Sequence, residues 1–345
     1  MPSDVFKSSG HLASFADPIT SCPKCQQVYR ADKLLTEKTG TEFKEAASNE
    51  ELTQAPKDHN VVCPKCKSYL ASVTRSSLMV KADVGVGKKV GTYLRPEACQ
   101  SIFLDFEKLY KTMRVKLPKG IAQLGKAFRN EISPRQTLMR QVEFYQMDTE
   151  VFFNPKKIND IPHFEDISTV KLNIQLDKET TPKMRTAGEL IKKNIVSGKL
   201  IAYYMARIQE LFTAYGFTVE KTRFRQLDGK ERAFYAKEGW DFEVQTALGW
   251  MELIANNYRT DYDLKGHQEG SKKELAVLDE ETNTKFIPHI WESSIGFDRL
   301  FYSILEYSYL SNDKRMWLGL PHKLVPIELG VLPLLSNKPE LITKA

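Results

Sequence analysis

The stretch Ala127–Asp148, AFRNEISPRQTLMRQVEFYQMD, decides how this chain is read. Phe128-Arg129-Asn130-Glu131 leads into a polar loop holding Ser133, Pro134 and Arg135, and the Ser-Pro step marks a turn. Met139 to Phe144 then alternates with period two, as a half-buried strand does. The pattern predicts strand, loop and antiparallel strand, with Arg129, Glu131, Arg140 and Phe144 converging. Two guanidiniums can clamp a phosphate because their planar forks match its oxygens. An aromatic ring can stack on a base, worth about 1–3 kcal/mol. These are the parts needed to hold a nucleoside triphosphate without a glycine-rich loop. The competing reading of the same residues is a charged hairpin with two structural ion pairs.

The rest of the composition is compatible with such a ligand. The 345 residues, 41% hydrophobic and 27% charged, can bury a sizeable core and fill two or three domains. Net charge is +6, mildly basic. From Lys108 to Arg140 there are nine Lys or Arg against one acid, Glu131. That segment reads either as a solvated basic face or as a surface that meets phosphates. No apolar run reaches the length of a membrane span, and the N-terminus lacks a signal-peptide layout, so a cytoplasmic protein is expected.

Four of the five cysteines form two identical knuckles, Cys22-Pro-Lys-Cys25 and Cys63-Pro-Lys-Cys66. Each knuckle turns two thiolates to one point, and four complete a tetrahedral structural zinc site with no open position. A disulfide pair is disfavoured by a reducing compartment, and a thioredoxin-type site by the duplication. Cys99 reads as a core thiol. The polar segment between the knuckles, Thr36 to Asn60, is expected to be a helix or a mobile excursion.

Val170–Leu176 reads as a short strand. Thr186 to Phe217 reads as helical from apolar residues three or four apart, divided at Ser197-Gly198. Near the C-terminal end, Pro288–Leu300 predicts a strand running into Gly296, then a helix with Asp298 and Arg299 in its first turn. An Asp there suits the helix dipole and an Arg does not, so Arg299 has another task.

Together these blocks resemble class II aminoacyl-tRNA synthetases, in the form carried by glycyl-tRNA synthetases. FRNEISPR with EFYQMD resembles their motif 2, and PHIWESSIGFDRL their motif 3. Ser9-Gly10-His11 with Phe15-Ala16-Asp17-Pro18, Arg30-Ala31-Asp32 and Leu94-Arg95-Pro96-Glu97-Ala98-Cys99-Gln100 resemble further family blocks, in family order. Arg223–Gln226, Tyr235-Ala236, Trp240-Asp241, Gly249–Glu252 and Tyr262–Leu264 are closest to the archaeal and eukaryotic branch.

The resemblance implies an α+β fold, an antiparallel sheet flanked by helices with an inserted zinc ribbon. It divides the chain into the start of a catalytic core at 1–20, a zinc ribbon at 21–72 and core with motif 2 at 73–154. An inserted helical subdomain follows at 155–235, then core with motif 3 at 236–320 and the start of an anticodon-binding domain at 321–345. It implies that the chain activates glycine with ATP and magnesium and passes it to the 3′ end of tRNA(Gly), as a homodimer. Arg129 would hold the α-phosphate, and Glu131 would contact adenine or orient the ligand. Phe144 would stack on adenine beside Asn130 and Arg140. Glu252, Leu253, Gly296 and Asp298 would line the nucleotide site, and Arg299 would close on the terminal phosphates. Arg30, Glu97, Phe144, Gln146, Asp148, Glu292 and Ser294 would surround the amino acid, with Arg259 completing the charge network. Cys22, Cys25, Cys63 and Cys66 would hold the zinc.

The chain departs from the family at Ser293, Ala255, Val142 and Ala98, none of which removes a phosphate ligand. Only a few residues precede the SGH block, where motif 1 is expected. Leu324–Leu335, which resembles the first strand of the anticodon-binding domain, is followed by ten residues. The expectation is a chain truncated at both ends. Two other readings accompany the ligase: a synthetase-like RNA- or partner-binding module, and an adenylate-forming enzyme for another carboxylic acid. Intact Arg129, Glu131, Phe144 and Arg299 speak against the first, and Glu97, Glu292 and Ser294 against the second.

Overall fold

The computed structural model describes all residues except 88, 133 and 135–137, so Ser133 and Arg135 of the motif 2 loop lie outside the described residues. Two short helices, α1 (Ser3–Ser8) and α2 (His11–Ser14), lead into β1 (Ala16–Ser21). A small lobe follows: β2 (Val28–Arg30), α3 (Ala31–Thr39), α4 (Asn49–Asp58) and β3 (Thr74–Ser77). The segment between the cysteine knuckles therefore contains a helix, α4, whose N-cap Ser48 accepts from the Glu51 amide. Next come a hairpin, β4 (Lys81–Val84) and β5 (Val90–Tyr93), and α5 (Gln100–Thr112). The motif 2 strands are β6 (Lys119–Phe128) and β7 (Glu143–Phe153). After α6 (Phe164–Ile167), β8 (Lys171–Gln175) and β9 (Lys183–Thr186), the predicted helical stretch forms α7 (Ala187–Lys192) and α8 (Lys199–Ala214). They are separated around Ser197-Gly198, as the sequence indicated. The chain continues through β10 (Thr222–Gln226), β11 (Glu238–Thr246), β12 (Gly249–Thr260) and α9 (Tyr262–Ser271). A small hairpin, β13 (Val277–Asp279) and β14 (Thr284–Phe286), precedes β15 (His289–Gly296) and α10 (Phe297–Ser308).

Eight strands make one sheet in the order β6-β7-β15-β12-β11-β10-β8-β9. Every neighbour pair is antiparallel except β8 with β10. Residues 155–235 thus add three strands to the same sheet that carries motifs 2 and 3. Alternation sorts the side chains between its faces. One face, with Val151, Phe153, Phe224, Trp240, Phe242 and Trp291, packs beneath α8 in the main core. The opposite face carries Phe144, Gln146, Asp148 and Glu150 of β7, Glu292 and Ser294 of β15, and Asn257 and Arg259 of β12. Helices α5 and α9 close over part of it through Phe103, Phe106 and Leu264. The polar residues of the sequence blocks share a face because their spacing is even.

Two expectations need correction. The strand of motif 2 begins at Glu143, so Met139–Val142 is not part of it. A backbone bond, from the Arg129 amide to the Val142 carbonyl, and side chains hold this segment: Arg140 Nε donates to Glu131 at 2.6 Å, and Arg299 Nε donates to the Met139 carbonyl at 3.3 Å. Residues 325–335 form no strand; Leu329, Leu332 and Leu334 are exposed. Among the described residues no strand pairs with this segment, and an unpaired strand leaves its backbone unsatisfied.

Helix α1 lies against α9 at two glycines. A Cβ at Gly266 would collide with the Ser8 carbonyl, and one at Gly270 with the Ser8 hydroxyl. This contact sets the path of the chain into His11. Gly266→Ala is expected to lower stability by about 1–3 kcal/mol through overpacking, read from urea unfolding of the variant beside the parent.

Candidate active site

Motif 2 supplies the first half of the site. The Arg129 guanidinium sits over the Phe144 ring at 5.4 Å and over Phe15 at 5.3 Å. Antiparallel pairing explains the meeting, since Ala127 and Phe128 lie opposite Phe144 and Glu143. Glu131 and Arg140 are joined directly, and Arg140 also lies 3.8 Å from Asp17. Asn130 anchors the loop through its amide to the Leu78 carbonyl. Motif 3 adds Arg299, from the first turn of α10. It donates to the Glu252 carbonyl at 3.1 Å and lies 3.5 Å from the Glu252 carboxylate. Asp298 accepts from the Tyr145 amide at 2.8 Å, tying this helix to β7. Leu253 is buried in the core. The result is an open shelf bearing three arginines and one half-buried aromatic ring, suited to a nucleotide and its phosphates.

A second cluster lies deeper on the same sheet face. Gln146 donates to the Ser294 hydroxyl at 2.6 Å and accepts from the Ala98 amide. Arg259, fully buried, reaches Asp263 with two donors at 2.6 and 2.8 Å and Glu292 with a third at 2.7 Å. Its guanidinium stacks on Tyr235 at 3.6 Å. Asn257 donates to the other oxygen of Glu292. Glu97 is met by His11 Nε2 and by the Cys99 thiol, each at 3.3 Å. Asp148 is fully buried, with the Ser294 hydroxyl and the Cys99 amide beside it. This is a pocket rich in buried carboxylates, and a small ammonium group is its chemical complement.

The electrostatics follow from burial and neighbours. Burial pushes Asp148 up to about 6, with the nearby Glu97 charge adding to it. Burial pushes Glu292 up to about 8, against the pull of Arg259. Burial would raise Glu97 too, but His11, then Arg259 and Arg129, hold it well below the usual carboxylate range.

The sequence-predicted residues thus fall into two adjoining groups. Arg129, Asn130, Glu131, Arg140, Phe144, Glu252, Gly296, Asp298 and Arg299 gather at the shelf. Glu97, Gln146, Asp148, Glu292 and Ser294 gather in the pocket. Arg30 stands apart: its guanidinium is taken by Asp17, Asp32 and Glu45 of the small lobe. Asp17 joins it indirectly to Arg140. The roles of His11, Asn257, Tyr235 and Asp263 were not read from the sequence. His11, Tyr235 and Asp263 lie inside recognised blocks, which was the available signal; Asn257 lies outside them, and only the pairing of β12 with β15 reveals it.

In the small lobe, Cys22 and Cys66 lie 3.4 Å apart and Cys25 and Cys63 3.6 Å apart, sulfur to sulfur. All four thiols are within 4.8 Å of one another. Tyr29 Oη lies 3.3 Å from Cys63 Sγ. Burial works to raise Cys63, yet the Tyr29 hydroxyl and the knuckle amides bring it down to about 6, toward the thiolate a metal requires.

The antiparallel sheet, its motif 2 hairpin and its motif 3 strand–helix junction define a class II aminoacyl-tRNA synthetase core. A tRNA synthetase class II core domain (G, H, P, S and T) matches residues 88–175. The glycine–tRNA ligase of Pyrococcus abyssi is 34% identical over 98% of this chain and 73% of its own length. Those of Methanothrix thermoacetophila and Methanothermobacter thermautotrophicus are 31% and 32% identical over 99% of the chain, and 72% and 74% of theirs. The chain belongs to the glycine–tRNA ligase family.

The pocket carboxylates make a pH prediction. Asp148 and Glu292 bind protons more tightly in the folded than in the unfolded protein. Their contribution to stability is therefore full below about pH 4 and lost as pH rises through about 6 and then about 8. Urea unfolding of the ligand-free protein should show a falling midpoint across that window. Glu292→Gln should flatten its upper part.

Proposed function

We propose that this chain activates glycine with ATP to glycyl-adenylate and transfers the glycyl group to the 3′ end of tRNA(Gly). The observation that carries this reading is the junction of the two clusters. Gln146 and Asp148 of the deep pocket follow Phe144 of the shelf on one face of β7. An amino acid held in the pocket would present its carboxylate to a nucleotide on the shelf.

In this reading Phe144 stacks on adenine, Arg129 holds the α-phosphate and Arg299 the terminal phosphates. Glu131 contacts adenine or orients the ligand and is itself held by Arg140. Asn130, Gly296 and Asp298 shape the nucleotide site, and Leu253 packs into the core behind it. Glu97, Asp148, Glu292 and Ser294 receive the ammonium of glycine, and the Gln146–Ser294 hydrogen bond fixes the wall beside it. Arg30 orders the small lobe against Asp17 and acts on the pocket only through it. A glycine carboxylate oxygen attacks the α-phosphorus in line, a new P–O bond forms, and the bond to the β-phosphate bridging oxygen breaks as pyrophosphate leaves. Arg129 and Arg299 oppose the charge that develops on the phosphoryl oxygens. The ribose hydroxyl of the tRNA terminal adenosine then attacks the acyl carbon and AMP departs. Magnesium supplies further charge neutralisation at the phosphates, and the Glu252 carboxylate beside Arg299 offers it a hard oxygen ligand.

The four cysteines fit zinc. Tetrahedral thiolates at a zinc–sulfur distance of about 2.3 Å lie about 3.8 Å apart, close to the separations here. The zinc is structural, ordering a ribbon lobe at 21–72. The core spans 1–20, 73–154 and 236–320, with 155–235 as an insertion whose strands β8, β9 and β10 extend the core sheet and 321–345 as the start of an anticodon-binding region. No described helix is long and apolar enough to cross a membrane. A cytoplasmic homodimer completes the proposal.

Glycine-dependent ATP–pyrophosphate exchange on the purified chain tests the function. Exchange with glycine supports it. ATP and RNA binding without exchange would favour a non-catalytic binding module, and exchange only with another carboxylic acid would reassign the substrate. Arg129→Ala should abolish exchange, because its contact strengthens as charge develops. Phe144→Ala should weaken ATP binding by about 1–3 kcal/mol, the stacking contribution. For zinc, elemental analysis should find one ion per chain, and Cys22→Ser should destabilise the lobe; parent protein free of zinc would contradict the assignment.

A further inference from the structure

Glu150 is fully buried, and neither of its carboxylate oxygens has a hydrogen-bond partner. The mechanism above makes no use of it. The pairing of β7 with β15 sets Glu150 directly opposite Glu292. Residues so placed share a sheet face, with β-carbons about 4.5–5.5 Å apart. Both oxygens of Glu292 are engaged, one by Arg259 and one by Asn257. Arg259 places two further donors on Asp263.

Around Glu150 stand Glu292 from β15, Arg259 from β12, Asp148 from its own strand, Asp263 from α9 and the Cys99 thiol ahead of α5. His267 of α9 is turned to Gln100. On the far side of Glu292 lies Glu97, within 4.8 Å of it and met by His11. Five carboxylates thus face one guanidinium and one imidazole in a dry interior. Two carboxylates opposed across a ladder cannot both ionise there without a further cation.

We propose that Glu150 is a positioning residue of the glycine pocket, sharing one proton with Glu292 across the β7–β15 ladder, and that this proton leaves when the amino-acid ammonium enters. The inference rests on the assignment of Glu97, Asp148, Glu292 and Ser294 to the amino-acid pocket. Burial and the Glu292 charge push Glu150 well above the ordinary carboxylate range, and Glu292 is itself raised, as expected of a coupled pair. One carboxyl O–H bond breaks, its electron pair stays on the carboxylate, and the proton passes to solvent. The ammonium charge enters as the proton leaves, so the carboxylate cluster keeps one cation empty and filled, while the glycine carboxylate lies toward the arginines of the shelf. That explains how so many buried acids are tolerated without ligand. A neutral amino acid surrogate lacking the ammonium gains nothing from this exchange.

Calorimetry of glycine binding to the full chain near pH 7, in buffers of different ionisation enthalpy, tests the proposal. The parent should release about one proton per glycine. Infrared difference spectra should show a protonated-carboxyl band lost on glycine addition. Glu150→Gln should bind glycine with little proton release, and its KM for glycine should lose the fall with rising pH that the parent shows. A binding heat independent of buffer in the parent, an unchanged carboxyl band, or full proton release by Glu150→Gln would overturn the proposal. The two parent measurements decide the matter even if the variant does not fold. Failure of the parent to bind glycine at all would instead remove the pocket assignment on which the inference rests.

Discussion

The buried guanidinium of Arg259 is the interaction on which the site depends. It projects from β12, binds Glu292 of β15 and Asp263 of α9, and stacks on Tyr235. A lone buried ion of either sign is costly, and a group of them persists only with full hydrogen bonding. Arg259 places three of its N–H donors on two carboxylates and lays its guanidinium over the Tyr235 ring. In doing so it fixes the helix over the sheet and leaves Asp148 and Glu150 short of positive charge. The deficit is what makes the pocket a receptor for a small cation.

The nucleotide shelf works by a different physical route. Its arginines are partly solvated, held by backbone carbonyls and single carboxylates rather than enclosed. Arg299 rests on the carbonyls of Met139 and Glu252, and Arg129 on that of Pro96. Such contacts hold the guanidiniums in place yet leave donors for phosphate oxygens. The small lobe is coupled to this shelf by Asp17, a buried carboxylate between Arg30 and Arg140. Burial pushes Asp17 up to about 6 even though Arg30 lies against it. An ion pair between Lys44 and Asp228 ties the same lobe to the loop after β10.

Much of the shelf was legible in the sequence because its parts are local. Arg129, Glu131, Arg140 and Phe144 lie within one hairpin, and Gly296, Asp298 and Arg299 within one strand–helix junction, so period and turn signals suffice to bring them together. The division of α7 from α8 was legible for the same reason. The pocket was less so. Its members come from places far apart in sequence, and only the strand order puts Glu292 between Glu150 on one side and Asn257 on the other. The alternating run at Met139–Val142 misled because regular pairing stops at Glu143: beyond it a backbone bond, from the Arg129 amide to the Val142 carbonyl, remains, and side-chain contacts hold the rest. Arg30 was grouped with the pocket by resemblance, whereas its three carboxylate partners hold it in the small lobe.

The central claim is that Arg259 holds the pocket together and creates its appetite for a cation. Urea unfolding and glycine binding of Arg259→Met, measured beside the parent, test it most directly. The account predicts a loss of about 3–5 kcal/mol, the usual cost of removing one partner from a buried ionic cluster, together with loss of glycine binding. A variant as stable as the parent, binding glycine equally well, would contradict it.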